Sequence, residues 1–227
     1  MDDCQFLSDA VLPFHLLPLL PELEILEVRN CDSVKTIFDV KCTTQDTLIT
    51  LPLKNLTLSN LSNLENIWSQ DPRGILNMHR LQQVHVKECR GLTNVFPASV
   101  AKDLVKLEHL VVEDCEELMA IVAEESHENQ EIILERLRNL DLKRLEKLRC
   151  FYAGNFTLSF PSLEEVHVIE CSSMKTFSAV NKMNHSIKWY YAEDASPRKE
   201  NHLNSAVHTT SEEVVRIFLL LNLCSIE

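Results

Sequence analysis

Four cysteines at a common spacing are the first candidates for chemistry. Cys31, Cys89, Cys115 and Cys171 each follow a leucine by eight residues. Thiolates are metal ligands and nucleophiles, so a ladder of thiols could form a metal centre or a redox cluster. None of the four has a CxxC neighbour, and Leu61 and Leu145 fill the equivalent place in two further segments. A leucine cannot replace a ligand in a working metal set. The four cysteines therefore read as one buried, reduced thiol per segment, and no metal or cofactor is expected.

The histidines are the second candidates. His85 and His167 share one place in their segments and His109 lies near it, with Glu113 or Glu165 at hand. Such residues could bind a metal or sense pH. His85 and His167 are three segments apart, however, which at about 4.8 Å per stacked strand is about 14 Å, too far for one ion. Solvated contact residues are the better reading. No GxSxG or HExxH occurs, and the three glycines, Gly74, Gly91 and Gly154, are too far apart for a phosphate-cradling loop. The chain reads as a non-enzyme.

Composition narrows the partners. Of 227 residues, 22 are Lys or Arg and 34 are Asp or Glu, a net charge of −12. Nucleic acid requires a basic surface to neutralise phosphates, so it is not an expected partner. The longest apolar run, Ile217 to Leu221, falls far short of the about 20 residues that cross a bilayer. No transmembrane segment is expected. The start, Met1-Asp2-Asp3-Cys4, has no basic region of the kind that opens a signal peptide. Eight cysteines without a secretory signal are expected to stay reduced.

The elements that carry these residues repeat. Aligned on Leu23, Leu53, Leu81, Leu107, Leu137 and Leu163, six segments superpose without a gap over sixteen positions. The pattern is L-x-x-L-x-L-x-x-[C/L]-x-x-L-x-x-[I/F/V]-[aromatic]. Positions 1, 4, 6, 9, 12 and 15 are apolar in every segment. At 45% apolar composition, chance agreement is on the order of one in 10^12. Position 16 adds Phe38, Trp68, Phe96 and Tyr152. Positions 4 to 6 alternate apolar, polar, apolar, the mark of a short strand with one buried face. No single unit can bury that face alone, whereas stacked coils can, with their strands joined in one parallel sheet.

The pattern fits the leucine-rich-repeat consensus. More narrowly, LEVRNCDSVKTIFDV (26–40), LENIWSQDPRGIL (64–76), LTNVFPASVAKDLVKLEHLVVEDCEEL (92–118) and PSLEEVHVIECSSMKTFS (161–178) resemble the leucine-rich-repeat region of plant coiled-coil NB-LRR disease-resistance proteins. The resemblance spans roughly residues 12 to 208. It implies an α/β solenoid, a horseshoe with a parallel β-sheet on its concave face and irregular or short helical convex segments. It also implies a cytoplasmic immune receptor. There the repeats sense a pathogen effector or a guarded host protein, or restrain the receptor's own nucleotide-binding domain. The competing reading is a substrate adaptor, or an interaction scaffold unrelated to immunity.

The expected organisation is a partial repeat over 1–22, six repeats over 23–180 and an irregular segment over 181–227. After Ser178 the register is lost, and a terminal helix is expected from Ser211 to Leu223, capped by Ser211. A short helix is expected from Pro97 to Leu104, a type I turn at Asp71–Gly74, and a convex loop from Ala123 to Glu131.

Positions 3, 5, 7 and 8 should line the concave solvent face. That ribbon comprises Ile25, Glu27, Arg29 and Asn30; Asn55, Thr57, Ser59 and Asn60; and Gln83, His85, Lys87 and Glu88. It continues with His109, Val111, Glu113 and Asp114; Asn139, Asp141, Lys143 and Arg144; and Glu165, His167, Ile169 and Glu170. The framework is constant across repeats while the ribbon as a set differs in each; a pure scaffold has no need for such diversity, although any solvated surface tolerates it. Glu27, Lys87, Glu113, Lys143 and Glu165 should have no core role.

Overall fold

A computed structural model describes residues 9–40, 48–123, 131–152, 157–174, 180–183 and 188–192. The chain enters through β1 (Ala10–Pro13) and a 3-10 turn (Phe14–Leu19). It then winds in coils. The first holds β2 (Ile25–Arg29), β3 (Thr36–Asp39) and β4 (Ile49–Thr50). The second holds β5 (Asn55–Ser59), β6 (Asn66–Trp68) and β7 (Leu76–Asn77). The third holds β8 (Gln83–Lys87), β9 (Asn94–Phe96) and the helix α1 (Ala98–Asp103). The fourth holds β10 (His109–Glu113), β11 (Ala120–Val122) and β12 (Glu131–Ile133), and the fifth β13 (Asn139–Lys143), β14 (Cys150–Tyr152) and β15 (Thr157–Phe160). The last strands are β16 (Glu165–Ile169), β17 (Val180–Met183) and β18 (Lys188–Ala192).

The result is a parallel β-solenoid. Its principal wall is a seven-stranded sheet in the order β2-β5-β8-β10-β13-β16-β18, every pair parallel. Equivalent repeat positions sit opposite one another, as in Leu110↔Leu140 and Leu140↔Val166. A second wall is formed by β1-β3-β6 and β9-β11-β14, and a third by β4-β7 and β12-β15-β17. The leucine, valine and isoleucine framework fills the space between the walls, with Val28, Leu58, Val86, Val112 and Leu142 fully buried. In the second wall the position-16 aromatics adjoin: Phe38 and Trp68 stack with centroids 5.8 Å apart, and Trp68 and Phe96 meet tilted at 5.9 Å.

Two expectations are corrected. The return segments are mostly short strands; among the described residues only α1 and the 3-10 turn at Phe14–Leu19 are helical. Isolated helices of this length are marginal, whereas an extended return can pair its backbone with the coil beside it. The register also continues past Ser178. β18 adds a strand in which Lys188 lies opposite Glu165 and Tyr190 opposite His167. Two residues before Lys188 the sequence has Ser186 rather than the leucine that precedes the other strands, so a pattern anchored on that leucine does not extend to β18. α1 itself falls where expected, with Val100 and Leu104 buried. Residues 124–130 of the expected loop and the whole segment 211–223 lie outside the described residues.

The bends are built alike. In every aligned repeat position 8 has a positive φ of 52–55°: Asn30, Asn60, Glu88, Asp114, Arg144 and Glu170. Its N–H donates to the position-7 carbonyl of the next coil at 2.8–3.1 Å, from Asn30 to Ser59 through Arg144 to Ile169. The position-12 N–H then donates back to the position-9 carbonyl at 3.0–3.3 Å, closing a tight turn. Gly91 at position 11 is there for space, since a Cβ would stand 3.0 Å from the Leu64 carbonyl oxygen. At Asp71–Gly74, Asp71 Oδ1 accepts from the Arg73 N–H at 3.0 Å and Gly74 supplies a φ of +70°.

Candidate functional site

Alternation along each strand of the long sheet buries positions 4 and 6 and turns 3, 5 and 7 outward. The ribbon residues therefore do share one face. Glu27, Arg29, Asn30, His85 and Arg144 are exposed, and Thr57, Ser59, Lys87, Glu88, His109, Glu113, Asp114, Asp141, Lys143, Glu165, His167 and Glu170 are half-buried. Position 5 forms one column: Glu27, Thr57, His85, Val111, Asp141 and His167. β10 and β13 separate His85 from His167.

The C-terminal half of this face is a connected ion network. Lys143 Nζ lies 3.1 Å from Glu113 Oε1 and 3.4 Å from Asp141 Oδ1. Arg144 grips Asp114 through both carboxylate oxygens, at 2.5 and 2.7 Å, and reaches Glu113 at 3.8 Å. Burial pulls the Lys143 ammonium down, but the Glu113 hydrogen bond and the Asp141 and Glu113 charges outweigh it and leave it above its ordinary value. The Arg144 hydrogen bond holds the Asp114 carboxyl below its ordinary range. Glu113 and Lys143 are thus more than solvated ribbon residues. Their side chains are only 16% and 27% exposed, and truncating either breaks a supported cluster. His167 Nδ1 lies 2.7 Å from Asp141 Oδ1, so its carboxylate is Asp141; Glu165 instead accepts from Asn139 at 3.4 Å. That pairing was legible in principle, since Asp141 and His167 hold position 5 of adjacent repeats.

The N-terminal half is arranged differently. Its charges are settled in short local pairs: Lys54–Glu24 at 2.6 Å, Arg29–Glu27 at 3.1 Å and Lys87–Glu88 at 3.5 Å. Asn60 Nδ2 donates to Asn30 Oδ1 at 2.9 Å. Between these pairs stand uncharged side chains in register, Asn55 beside Gln83 and Thr57 beside His85.

One further row of this face lies beyond the strands, where alternation does not reach. Position 10, just past the bend, brings Arg90, Glu116 and Glu146 beside Glu88, Asp114, Arg144 and Glu170, and together they line an open cleft of about 400 Å³. Its two arginines are engaged, Arg90 with Glu116 at 3.3 Å and Arg144 with Asp114.

The position-9 thiols lie on the other side of the strand. Cys31, Cys89, Cys115 and Cys171 are buried and free of disulfides. Each donates to the carbonyl two residues back, Cys31 to Arg29 at 3.0 Å and Cys115 to Glu113 at 3.3 Å. The neighbouring Cys115 thiol, with burial, drives the Cys89 thiol far above its ordinary value, and burial pushes Cys171 up to about 11. Such thiols stay protonated and unreactive. No described helix is long and apolar enough to cross a membrane.

Among known proteins, the family described as plant disease resistance protein RPS2-like, leucine-rich repeats, matches residues 1–116. No curated protein and no solved structure matches the chain.

Proposed function

This chain belongs to the RPS2-like leucine-rich-repeat family of plant disease resistance proteins, and from that premise we propose that it is the protein-recognition and regulatory repeat region of a cytoplasmic plant immune receptor. The long sheet is its recognition wall, set on the inner, concave side of a horseshoe. The partner is a pathogen effector, a guarded host protein or the receptor's own nucleotide-binding domain. The region works by binding, not by catalysis. One observation carries the reading: six coils share the same framework and the same bend, while the set of four residues at outward positions 3, 5, 7 and 8 is different in each coil. Repeat folds use such extended surfaces to bind proteins, and six strands at about 4.8 Å span about 25 Å, enough for a protein-sized contact.

The test is a surface-swap series in a full-length receptor carrying this region. Thermal melts and a cell-death readout are run side by side. Exchanges at Glu27, Lys87 and Glu165 should keep the melting temperature within a few degrees and alter recognition. If every ribbon exchange recognises normally while changes elsewhere on the solenoid abolish recognition, the long sheet is not the recognition wall.

A further inference from the structure

Building on the reading of the long sheet as a recognition wall, we propose that its docking site is the patch on β5 and β8, and that this patch takes an uncharged, hydrogen-bonding segment of a partner protein. Asn55, Thr57, Ser59, Gln83 and His85 stand together there, in register across the two strands. None of these five side chains has an intramolecular partner among the described residues. The carboxamides each offer two donors and two acceptor lone pairs, the hydroxyls one donor and two acceptor sites, and a neutral imidazole one of each. These groups are outward and half-buried or exposed, so the capacity is open to a ligand. β5 also carries short side chains, which lets a partner's main chain approach closely.

Charge selects the partner. Across positions 2 to 8 of β2, β5 and β8, the acids Glu24, Glu27 and Glu88 balance the bases Arg29, Lys54 and Lys87, each within an ion pair. A charged side chain docking there would lose hydration and find no open counter-charge. The other half of the wall is the opposite case. Over the same positions of β10, β13 and β16, seven acids face only three bases, Arg138, Lys143 and Arg144, and all three are already paired. That half would draw a basic partner, since its three bases are engaged with Glu164, Glu113, Asp141 and Asp114 while its acids outnumber them.

The experiment selects a displayed random-peptide library on the whole chain and measures the enriched peptides as synthetic ligands. Binding is followed at about 50 and about 300 mM salt. It is repeated on Asn55→Ala with Gln83→Ala, and on Glu108→Lys with Glu146→Lys, which reverses two carboxylates bordering the acidic half outside the ribbon. The proposal expects peptides rich in Ser, Thr, Asn and Gln, with affinity changing less than about twofold across that salt range. It expects about tenfold or greater loss on the Asn55/Gln83 variant at an unchanged melting temperature, and no loss on the Glu108/Glu146 variant. Lys- and Arg-rich peptides, weakened about tenfold by salt and by the Glu108/Glu146 changes but indifferent to Asn55 and Gln83, would overturn it while leaving the recognition wall intact. Peptides indifferent to both variants, or no enrichment over an unrelated repeat protein, would overturn it and the recognition wall together.

Discussion

A buried thiol is tolerated only while it keeps its proton, and that sets an alkaline limit on this fold. Cys171 is raised by burial from an ordinary 9.0 to about 11. Above pH 9 the unfolded chain releases this proton while the folded chain retains it, so the folded state binds more protons and stability falls as pH rises. The loss begins near pH 9, ends near pH 11 and reaches at most about 3 kcal/mol; below pH 9 it is absent. Cys171→Leu places in this coil the residue that Leu61 and Leu145 already supply in the same slot. Urea unfolding at pH 7 and pH 10 should show wild type losing about 1 kcal/mol more than the leucine variant. Equal losses would mean that the thiol does not titrate with folding. The burial of this ladder was legible because leucine substitutes for cysteine at position 9. The Asp141–His167 contact is also a residue-scale matter. Its two residues are neighbours across coils, whereas Glu165 is near His167 only along the chain.

The repeating element is a strand, a left-handed residue and a tight turn. A residue with a side chain occupies the left-handed region at a cost of roughly 1–2 kcal/mol, which Gly avoids and Asn partly avoids. Asn30 and Asn60 suit the bend; Glu88, Arg144 and Glu170 do not, yet hold the same φ. Glu88→Gly should therefore leave stability unchanged or raise it by up to about 1 kcal/mol, while Glu88→Val should lower it by about 1–2 kcal/mol. Chemical denaturation of both variants decides this, and equal destabilisation would show that the side chain matters more than the backbone. The strands around Leu26–Val28 and its five counterparts were legible from period-2 alternation on a constant framework. The bend was not, because Asn, Glu, Asp and Arg share no obvious property beyond polarity. Nor were the third-wall strands such as Ile49–Thr50 and Leu76–Asn77. They are two residues long, and what fixes them is pairing with the adjacent coil, which no local pattern records.

At the scale of the whole molecule, each coil is stabilised by its neighbours on either side, so position along the stack matters as much as burial. Leu110, in the central strand β10, is fully buried between two coils, whereas Leu26 lies in β2 at the end of the long sheet. Leu110→Ala should cost about 2–5 kcal/mol and lower the main unfolding transition. Leu26→Ala should chiefly loosen the first coil. Hydrogen exchange read beside thermal melts separates the two: protection lost across β8, β10 and β13 in the first variant, and confined to β2 and β5 in the second. Matching exchange patterns would show the solenoid to be one indivisible unit. The shared bend at position 8 reaches further, into the gene. Its equivalents recur every 26–30 residues, and the bends from Asn30 to Arg144 meet the same backbone partner in the next coil. A crossover between two misaligned copies, cut at that codon, rejoins strand to turn without disturbing either junction. Coils can then be gained, lost or reordered in frame, and a lineage can try new arrangements of its outward residues without first having to rediscover how to fold.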